Sequence, residues 1–138
     1  MPLVRQTVLV VDDEAAITSL LREVLEGAGY NVLGALDGWE ALKIAEGHDG
    51  PIHALLTDIA MPGMNGRELS ERLSRQRPSM RVVYMSALTT EAVVCDYKIP
   101  AGAPFIVKPF TISRLVAKLQ EVLAPSPFAR RSPDRAGR

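Results

Sequence analysis

The stretch LLTDIAMPGMNG, residues 55–66, joins an apolar segment to a loop through a single aspartate, Asp58. Residues 52–57 are largely apolar, which is typical of a strand covered on both faces of a sheet. Pro62, Gly63 and Gly66 then break the regular pattern. A carboxylate at the tip of a buried strand costs free energy unless another group uses or neutralises its charge. Asp58 is therefore a candidate functional residue.

Composition limits the class of protein. The chain has 138 residues, of which 47% are hydrophobic and 23% charged, values that fit a globular domain and are too apolar for a disordered chain. No stretch approaches the roughly 20 apolar residues that cross a bilayer, and the first residues lack the pattern of a signal peptide. The single cysteine, Cys95, excludes an internal disulfide and fits a reducing cytoplasm. We expect a cytoplasmic protein without a membrane partner.

Charge divides the chain into two parts. Residues 125–138 carry four arginines and one aspartate and are rich in proline and serine, so we predict a disordered tail there. The other 124 residues carry 12 basic and 15 acidic side chains, without the concentrated basic surface of a nucleic-acid-binding protein. We expect one domain over residues 1–124, no nucleic-acid partner, and a tail too short to form a DNA-binding output domain.

The hydrophobic pattern alternates between strands and helices. It predicts strands at residues 7–11, 31–36, 52–57, 81–87 and 104–107, with an amphipathic helix after each one, the last over residues 111–124. Short connections between such elements imply parallel strands in right-handed βαβ units. The pattern indicates a single doubly wound α/β domain, whose ligands bind beyond the carboxyl ends of the strands.

Complementary side chains stand at those predicted strand ends. Asp12 and Asp13 end the first strand, Asp58 the third, Ser86 the fourth and Lys108 the fifth. Carboxylate oxygens suit Mg²⁺, and three crowded acids favour a bound cation because they repel one another. A carboxylate can attack phosphorus to form an acyl phosphate, while an ammonium and a hydroxyl stabilise the phosphoryl oxygens. The pattern predicts phosphoryl transfer to Asp58.

Four segments carry a resemblance to a known family. VLVVDDE, LLTDIAMPGMNG, VVYMSA and FIVKPF resemble the signature segments of the receiver domain of two-component response regulators, over residues 7–124. The resemblance implies a five-stranded parallel sheet of flavodoxin-like order 2-1-3-4-5 with five helices. It also implies a signalling module, which takes phosphate from a sensor histidine kinase or a histidine phosphotransfer protein. Such a module catalyses only its own phosphorylation and dephosphorylation.

The resemblance assigns the phosphorylated residue and its surroundings. Asp58 would be the phosphoacceptor, and Lys108 would bind the phosphate. Mg²⁺ would be held by Asp12, Asp13, Asp58 and the main-chain carbonyl of Ala60. An alternative for Asp12 and Asp13 is that they only favour the start of the following helix, worth about 0.3–1 kcal/mol each. The matching Asp58 and Lys108 make the metal site the better interpretation.

The resemblance also implies a conformational switch. Phosphorylation would draw Ser86 toward the phosphoryl oxygens, and the aromatic ring of Phe105 would turn inward. This change would alter the surface of helix four, strand five and helix five, which would bind an unknown protein target or a second copy of the chain. Phe105 could instead be an ordinary core residue. Pro109 is expected to follow a cis peptide bond.

Helix four departs from the common family pattern. Pro100 and Pro104 predict that this helix ends before Pro100, since proline lacks the backbone donor and clashes with the preceding turn. The segment resembles the terminal receivers of hybrid sensor kinases. Two residues outside the site, Trp39 and Cys95, are expected to pack against the body of the domain.

The sequence is also compatible with two other classes of function. One is an interaction module that keeps the fold without being phosphorylated, although the complete set of acids and lysine argues against it. The other is a Mg²⁺-dependent phosphohydrolase with an aspartyl intermediate. Such enzymes usually carry an acid–base carboxylate two residues beyond the nucleophile, where this chain has Ala60.

Overall fold

The computed structural model describes residues 5–124, so the predicted disordered tail over residues 125–138 lies outside the described residues. Strands and helices alternate along the chain. The strands are β1 (Thr7–Val11), β2 (Asn31–Ala35), β3 (Ala54–Asp58), β4 (Arg81–Ser86) and β5 (Phe105–Val107). The helices are α1 (Ala15–Gly27), α2 (Gly38–Gly47), α3 (Gly66–Gln76), α4 (Thr90–Tyr97) and α5 (Ile112–Leu123).

The five strands form one parallel sheet in the order β2-β1-β3-β4-β5. The predicted doubly wound α/β fold with order 2-1-3-4-5 and five helices is confirmed. Every strand runs in the same direction, so all carboxyl ends lie at one edge of the sheet. The residues at the carboxyl ends of β1, β3, β4 and β5 are therefore gathered there, as their positions in the sequence predicted.

Helices cover both faces of the sheet. On one face, side chains of α1 and α5 pack against Val8, Val10, Leu56 and Met85. On the other face, α2 and α3 cover Leu9, Val11 and Leu55. A third cluster lies beneath α4 and joins Ile59, Tyr84, Val93 and Ile99. Because β1 and β3 are buried on both faces, their sequences read as apolar runs rather than as alternating patterns.

Polar side chains define where four of the helices begin. Asp37, Asn65, Thr89 and Thr111 each accept a hydrogen bond from the backbone three residues later, as helix N-caps do. Thr111, which the sequence pattern placed at the start of the last helix, is a cap. Such differences at element ends come from hydrogen bonds that hydrophobic periodicity does not report.

Helix α4 is short and ends before Pro100, as the presence of this proline predicted. Its last residue is Tyr97, and the next, Lys98, adopts a left-handed conformation with φ 59°. Val93 is the one buried residue of this helix. The predicted end of helix four before Pro100 is confirmed.

Two packing predictions are wrong. Trp39 is 57% exposed, and its ring lies under the guanidinium of Arg72, 5.2 Å from the ring centroid. Helix α2 instead packs through Gly38, Ala41 and Ala45, because the small residues lie closest to the sheet. Cys95 is exposed on α4.

No helix within residues 5–124 is both long and apolar enough to span a bilayer.

Candidate functional site at the carboxyl edge of the sheet

Three aspartates meet at the carboxyl edge, where β1 and β3 run side by side. One carboxylate oxygen from each of Asp12, Asp13 and Asp58 lies within 4.8 Å of the others. Asp12 is fully buried, Asp58 is 8% exposed and Asp13 is exposed. The cluster thus faces solvent on one side and the sheet on the other, an arrangement that could hold a metal ion.

Backbone hydrogen bonds fix the position of Asp12. Its Oδ1 accepts from the backbone N–H of Glu14 at 2.9 Å. Its main-chain carbonyl accepts from the hydroxyl of Thr18, a buried residue of α1, at 3.0 Å. These contacts hold α1 against the end of β1, so the carboxylate stays at the sheet edge. Thr18 was not identified from the sequence, although a hydroxyl among the apolar positions of α1 was a visible signal.

The backbone around Asp58 is held as closely. The Thr57 hydroxyl donates to the main-chain carbonyl of Asp58 at 2.9 Å. The first residue of α3, Gly66, comes so near that a Cβ atom there would lie 2.4 Å from the same carbonyl oxygen. The backbone N–H of Gly66 donates to the carbonyl of Ile59 at 2.9 Å. The glycine therefore allows α3 to begin directly against the strand end that carries Asp58.

Lys108 brings a positive charge to the acids. Its Nζ lies 2.7 Å from Asp12 Oδ2 and 3.5 Å from Asp58 Oδ2. The peptide bond between Lys108 and Pro109 is cis, as predicted. Burial alone would lower the pKa of Lys108, but the carboxylates of Asp12 and Asp58 outweigh it and raise that pKa above its ordinary value. The ammonium therefore remains charged.

The ionised form of Asp58 is disfavoured by its surroundings. Burial raises the pKa of its carboxyl, Lys108 lowers it, and the neighbouring charges of Asp12 and Asp13 raise it further. The net direction is upward, so a single lysine does not neutralise the site. A divalent cation at the three carboxylates would supply the missing positive charge, and the oxygen-only donor set suits a hard cation.

The remaining predicted site residues lie around this cluster. Ser86 is 1% exposed, and its Oγ accepts a hydrogen bond from the backbone N–H of Leu88 at 2.9 Å. Phe105, in β5, is half-buried against the cluster beneath α4. Ala60 is exposed in the loop two residues after Asp58. The structure thus joins Lys108 directly to Asp12 and Asp58 and places Asp13 in the same cluster, while Ser86 and Phe105 lie on the neighbouring strands β4 and β5.

Known proteins match both the sequence and this arrangement. Residues 8–120 match the family model of the response regulator receiver domain. The chain belongs to this family. Receiver domains are modules of two-component signal transduction rather than classical enzymes, and an acidic cluster of this kind is consistent with a phosphoacceptor role.

Relatives of this receiver domain include free-standing and multidomain proteins. The chemotaxis protein CheY of Thermotoga maritima is 38% identical over 117 residues, which cover 83% of this chain and 95% of CheY. The sensor kinase CckA of Brucella abortus is 32% identical over 117 residues, but these cover 85% of this chain and only 12% of the kinase. The latter match agrees with the predicted similarity to receivers attached to sensor kinases.

Solved structures of receiver domains have the same fold. The chemotaxis protein CheY4 of Vibrio cholerae superposes with a TM-score of 0.78 at 30% sequence identity, and the match covers 87% of this chain and 100% of CheY4. The common fold places the carboxyl edge of the sheet at the same point in both proteins.

Proposed function

We propose that this receiver domain accepts a phosphoryl group on Asp58 from a histidine-containing donor. The observation that carries the proposal is the position of Asp58 at the end of β3. Its carboxylate lies within 4.8 Å of two other acids and 3.5 Å from an ammonium. Positioning and positive charge are the main requirements of phosphoryl transfer.

In the proposed reaction an oxygen of the Asp58 carboxylate attacks phosphorus. The new bond joins that oxygen to phosphorus, while the bond from phosphorus to the donor's imidazole nitrogen breaks. The imidazole leaves with the electron pair of the broken bond. Lys108, now between Asp12 and Asp58, would turn toward a phosphoryl oxygen. Hydrogen bonds from an ammonium to such an oxygen are charge-assisted and strong.

We propose Mg²⁺ as the metal of the acid cluster. Asp12, Asp13, Asp58 and the main-chain carbonyl of Ala60 would be its protein ligands. Mg²⁺ bound there would neutralise the acids and contribute positive charge beside the phosphoryl oxygens. The fit rests on three carboxylate oxygens that lie within 4.8 Å of one another, a group that among the described residues contains oxygen ligands alone.

The proposed output is a change of surface. The hydroxyl of Ser86 would leave the backbone of Leu88, its present partner at 2.9 Å, and bond a phosphoryl oxygen. Phe105 would then turn inward and alter the surface of α4, β5 and α5. The position of Phe105 next to the weakly buried helix α4 supports this role. A downstream protein or a second copy of the chain would bind the altered surface.

The proposed donor is a sensor histidine kinase or a histidine phosphotransfer protein. An apolar groove beside Lys108 supports a protein donor over a small metabolite. It is lined by Ile17, Leu20, Leu21, Ala87, Pro109 and Phe110. Leu20 is 49% exposed, so an apolar surface of the donor would bury it while a histidine reaches Asp58.

The remaining parts of the proposal concern the whole chain. We propose a receiver unit over residues 1–124 and a disordered tail over 125–138, in a cytoplasmic protein that binds neither nucleic acid nor membranes. The only chemistry assigned to it is its own phosphorylation and dephosphorylation. The mixed charge of the first 124 residues, 12 basic against 15 acidic, supports the absence of a nucleic-acid partner.

Intact mass after incubation with acetyl phosphate and Mg²⁺ tests the proposal. We expect a gain of one phosphoryl group that is absent in EDTA and absent in Asp58→Asn. A gain that persists in Asp58→Asn would place the acceptor elsewhere. No gain, either from acetyl phosphate or from a phosphorylated histidine phosphotransfer protein, would contradict the proposal and favour an interaction module that is not phosphorylated.

A further inference from the structure

A buried hydrogen-bond chain connects β4 to α3 below the site. Tyr84, in β4, is buried, and its hydroxyl lies 2.7 Å from Oγ of Ser70 in α3. Ser70 Oγ donates to the main-chain carbonyl of Arg67 at 2.8 Å. A serine hydroxyl has a single proton, so Tyr84 donates its proton to Ser70. The chain therefore runs in one direction, from Tyr84 through Ser70 to Arg67.

The ring of Tyr84 lies beside the proposed switch residue. The sheet register places Tyr84 directly opposite Phe105 on the neighbouring strand. Ser86 follows two residues later in β4, on the same face of the sheet. Tyr84 and Phe105 pack in one apolar cluster with Val93 of α4. The position of the Tyr84 ring thus limits the space into which the Phe105 ring can turn.

The other end of the hydrogen-bond chain is tied to the phosphoacceptor strand. Helix α3 begins at Gly66, where a Cβ atom would lie 2.4 Å from the Asp58 carbonyl oxygen, and the backbone N–H of Gly66 donates to the carbonyl of Ile59. Ser70 lies one turn further along α3. A displacement of the Asp58 backbone is therefore passed to α3 and, through Ser70, to the Tyr84 ring.

Packing of the Tyr84 ring does not require its hydroxyl group. A phenylalanine would fill nearly the same volume, and a buried hydroxyl costs free energy unless it is hydrogen-bonded. The bond to Ser70 satisfies the hydroxyl and at the same time fixes the ring against α3. A fixed ring gives the cluster a defined arrangement in the unphosphorylated protein.

We propose that Tyr84 is a positioning residue of the switch, and that its hydrogen bond to Ser70 stabilises the unphosphorylated arrangement of Phe105. While the bond is made, the Tyr84 ring stays beside Phe105 and opposes its inward turn. Loss of the bond frees the ring and favours the switched arrangement. This inference rests on the proposed function, because it takes Phe105 as the switch aromatic.

Tyr84→Phe tests the inference, since it removes the bond and keeps the ring. The measurement is the position of the backbone amide resonances of residues 105–107 by NMR, without phosphate and with saturating beryllofluoride and Mg²⁺. We expect the resonances of unphosphorylated Tyr84→Phe to move toward the saturated wild-type positions. Loss of one hydrogen bond of about 1 kcal/mol corresponds to a roughly fivefold larger population of the switched state.

Ser70→Ala and the double variant provide a cycle. Because both substitutions remove the same bond, we expect Ser70→Ala to give a similar shift and the double variant to add little. Tyr97→Phe is the matched control. Tyr97 packs against the same cluster, and its hydroxyl makes no hydrogen bond within residues 5–124, so we expect no shift.

The outcomes separate this inference from the proposed function. If beryllofluoride leaves the wild-type resonances of residues 105–107 unchanged, the proposed switch fails, and the inference fails with it. If the wild type responds but Tyr84→Phe keeps the wild-type resting positions, the switch stands and the role of Tyr84 is refuted. A loss of unfolding free energy in Tyr84→Phe without a resonance shift would likewise assign the bond a purely structural role.

Discussion

At Asp58 the strand and the proposed chemistry make opposite demands on one carboxyl group. Burial at the end of β3 and the charges of Asp12 and Asp13 raise its pKa, and Lys108 lowers it. Nucleophilic attack requires the ionised carboxylate, which burial and the two neighbouring acids disfavour. A cation bound by the acid cluster would resolve this conflict, because it would stabilise the form that reacts.

Asp58→Asn is expected to stabilise the metal-free protein at neutral pH. The pKa of Asp58 is higher in the folded than in the unfolded chain, so the folded state binds this proton more tightly. Its contribution to stability is therefore present at low pH and is lost as pH rises from the unfolded value, about 3.9, through the raised folded value. Urea unfolding in EDTA across this range measures the effect.

The difference between Asp58→Asn and wild type should vanish below the unfolded pKa and reach its full size above the folded one. Lys108 also contacts Asp12 at 2.7 Å, and we expect this contact to remain in Asp58→Asn. Asp96→Asn, at an exposed position of α4, serves as the control for the loss of one carboxylate outside the acid cluster. A lower stability of Asp58→Asn at neutral pH would contradict the prediction.

Lys108→Met is expected to act in opposite directions on metal binding and on phosphorylation. The ammonium competes for oxygens of Asp12 and Asp58, so its removal should tighten Mg²⁺ binding by about tenfold, or 1.4 kcal/mol. The same change removes the positive charge that would stabilise the phosphoryl oxygens, so it should slow phosphorylation by roughly 10²-fold or more. Calorimetry and the time course of intact mass measure the two effects. Weaker Mg²⁺ binding would refute the assumed competition.

At the scale of elements, the apolar runs in the sequence predicted the parallel sheet, and the polar residues at the ends of these runs predicted most of the candidate site. β1 and β3 are fully buried, so each appears in the sequence as an apolar run. The aspartates at the ends of these two runs were visible as candidate site residues. The contacts that hold the site could not be predicted in the same way. The hydrogen bond of Thr18 and the link between Tyr84 and Ser70 depend on how helices lie on the sheet, which periodicity does not specify.

Two glycine substitutions are expected to change the free energy of unfolding in opposite directions, because only one of the glycines lies at the contact between α3 and β3. In Gly66→Ala the new Cβ would lie 2.4 Å from the Asp58 carbonyl. The backbone must shift, and we expect a loss of about 1–3 kcal/mol together with slower phosphorylation. Gly47→Ala, at the end of α2, has open space around its Cβ and should gain about 0.4–1 kcal/mol. Urea unfolding compares the two, and an unchanged stability in Gly66→Ala would contradict the close approach.

At the scale of the whole molecule, charge is distributed unevenly along the chain. Residues 125–138 carry four arginines and one aspartate, whereas the rest of the chain has more acids than bases. Helix α5 ends at Leu123, and the backbone N–H of Ala124 closes it with a hydrogen bond to Gln120 at 2.9 Å. The buried side chains of this helix, Leu115 and Leu119, both lie before that point, so what α5 contributes to the core lies within the described residues 5–124.

A chain that ends at Ala124 is therefore expected to keep the stability and the chemistry of the full chain. We expect a change of less than about 0.5 kcal/mol in the free energy of unfolding, with the same Mg²⁺-dependent mass gain. Leu119→Ala in the full chain provides the contrast, because it opens a cavity in the core and should cost about 2–5 kcal/mol. If removal of the tail costs more than about 1 kcal/mol, an amount well above that of ordinary surface changes, the tail packs against the domain and the boundary at residue 124 is wrong.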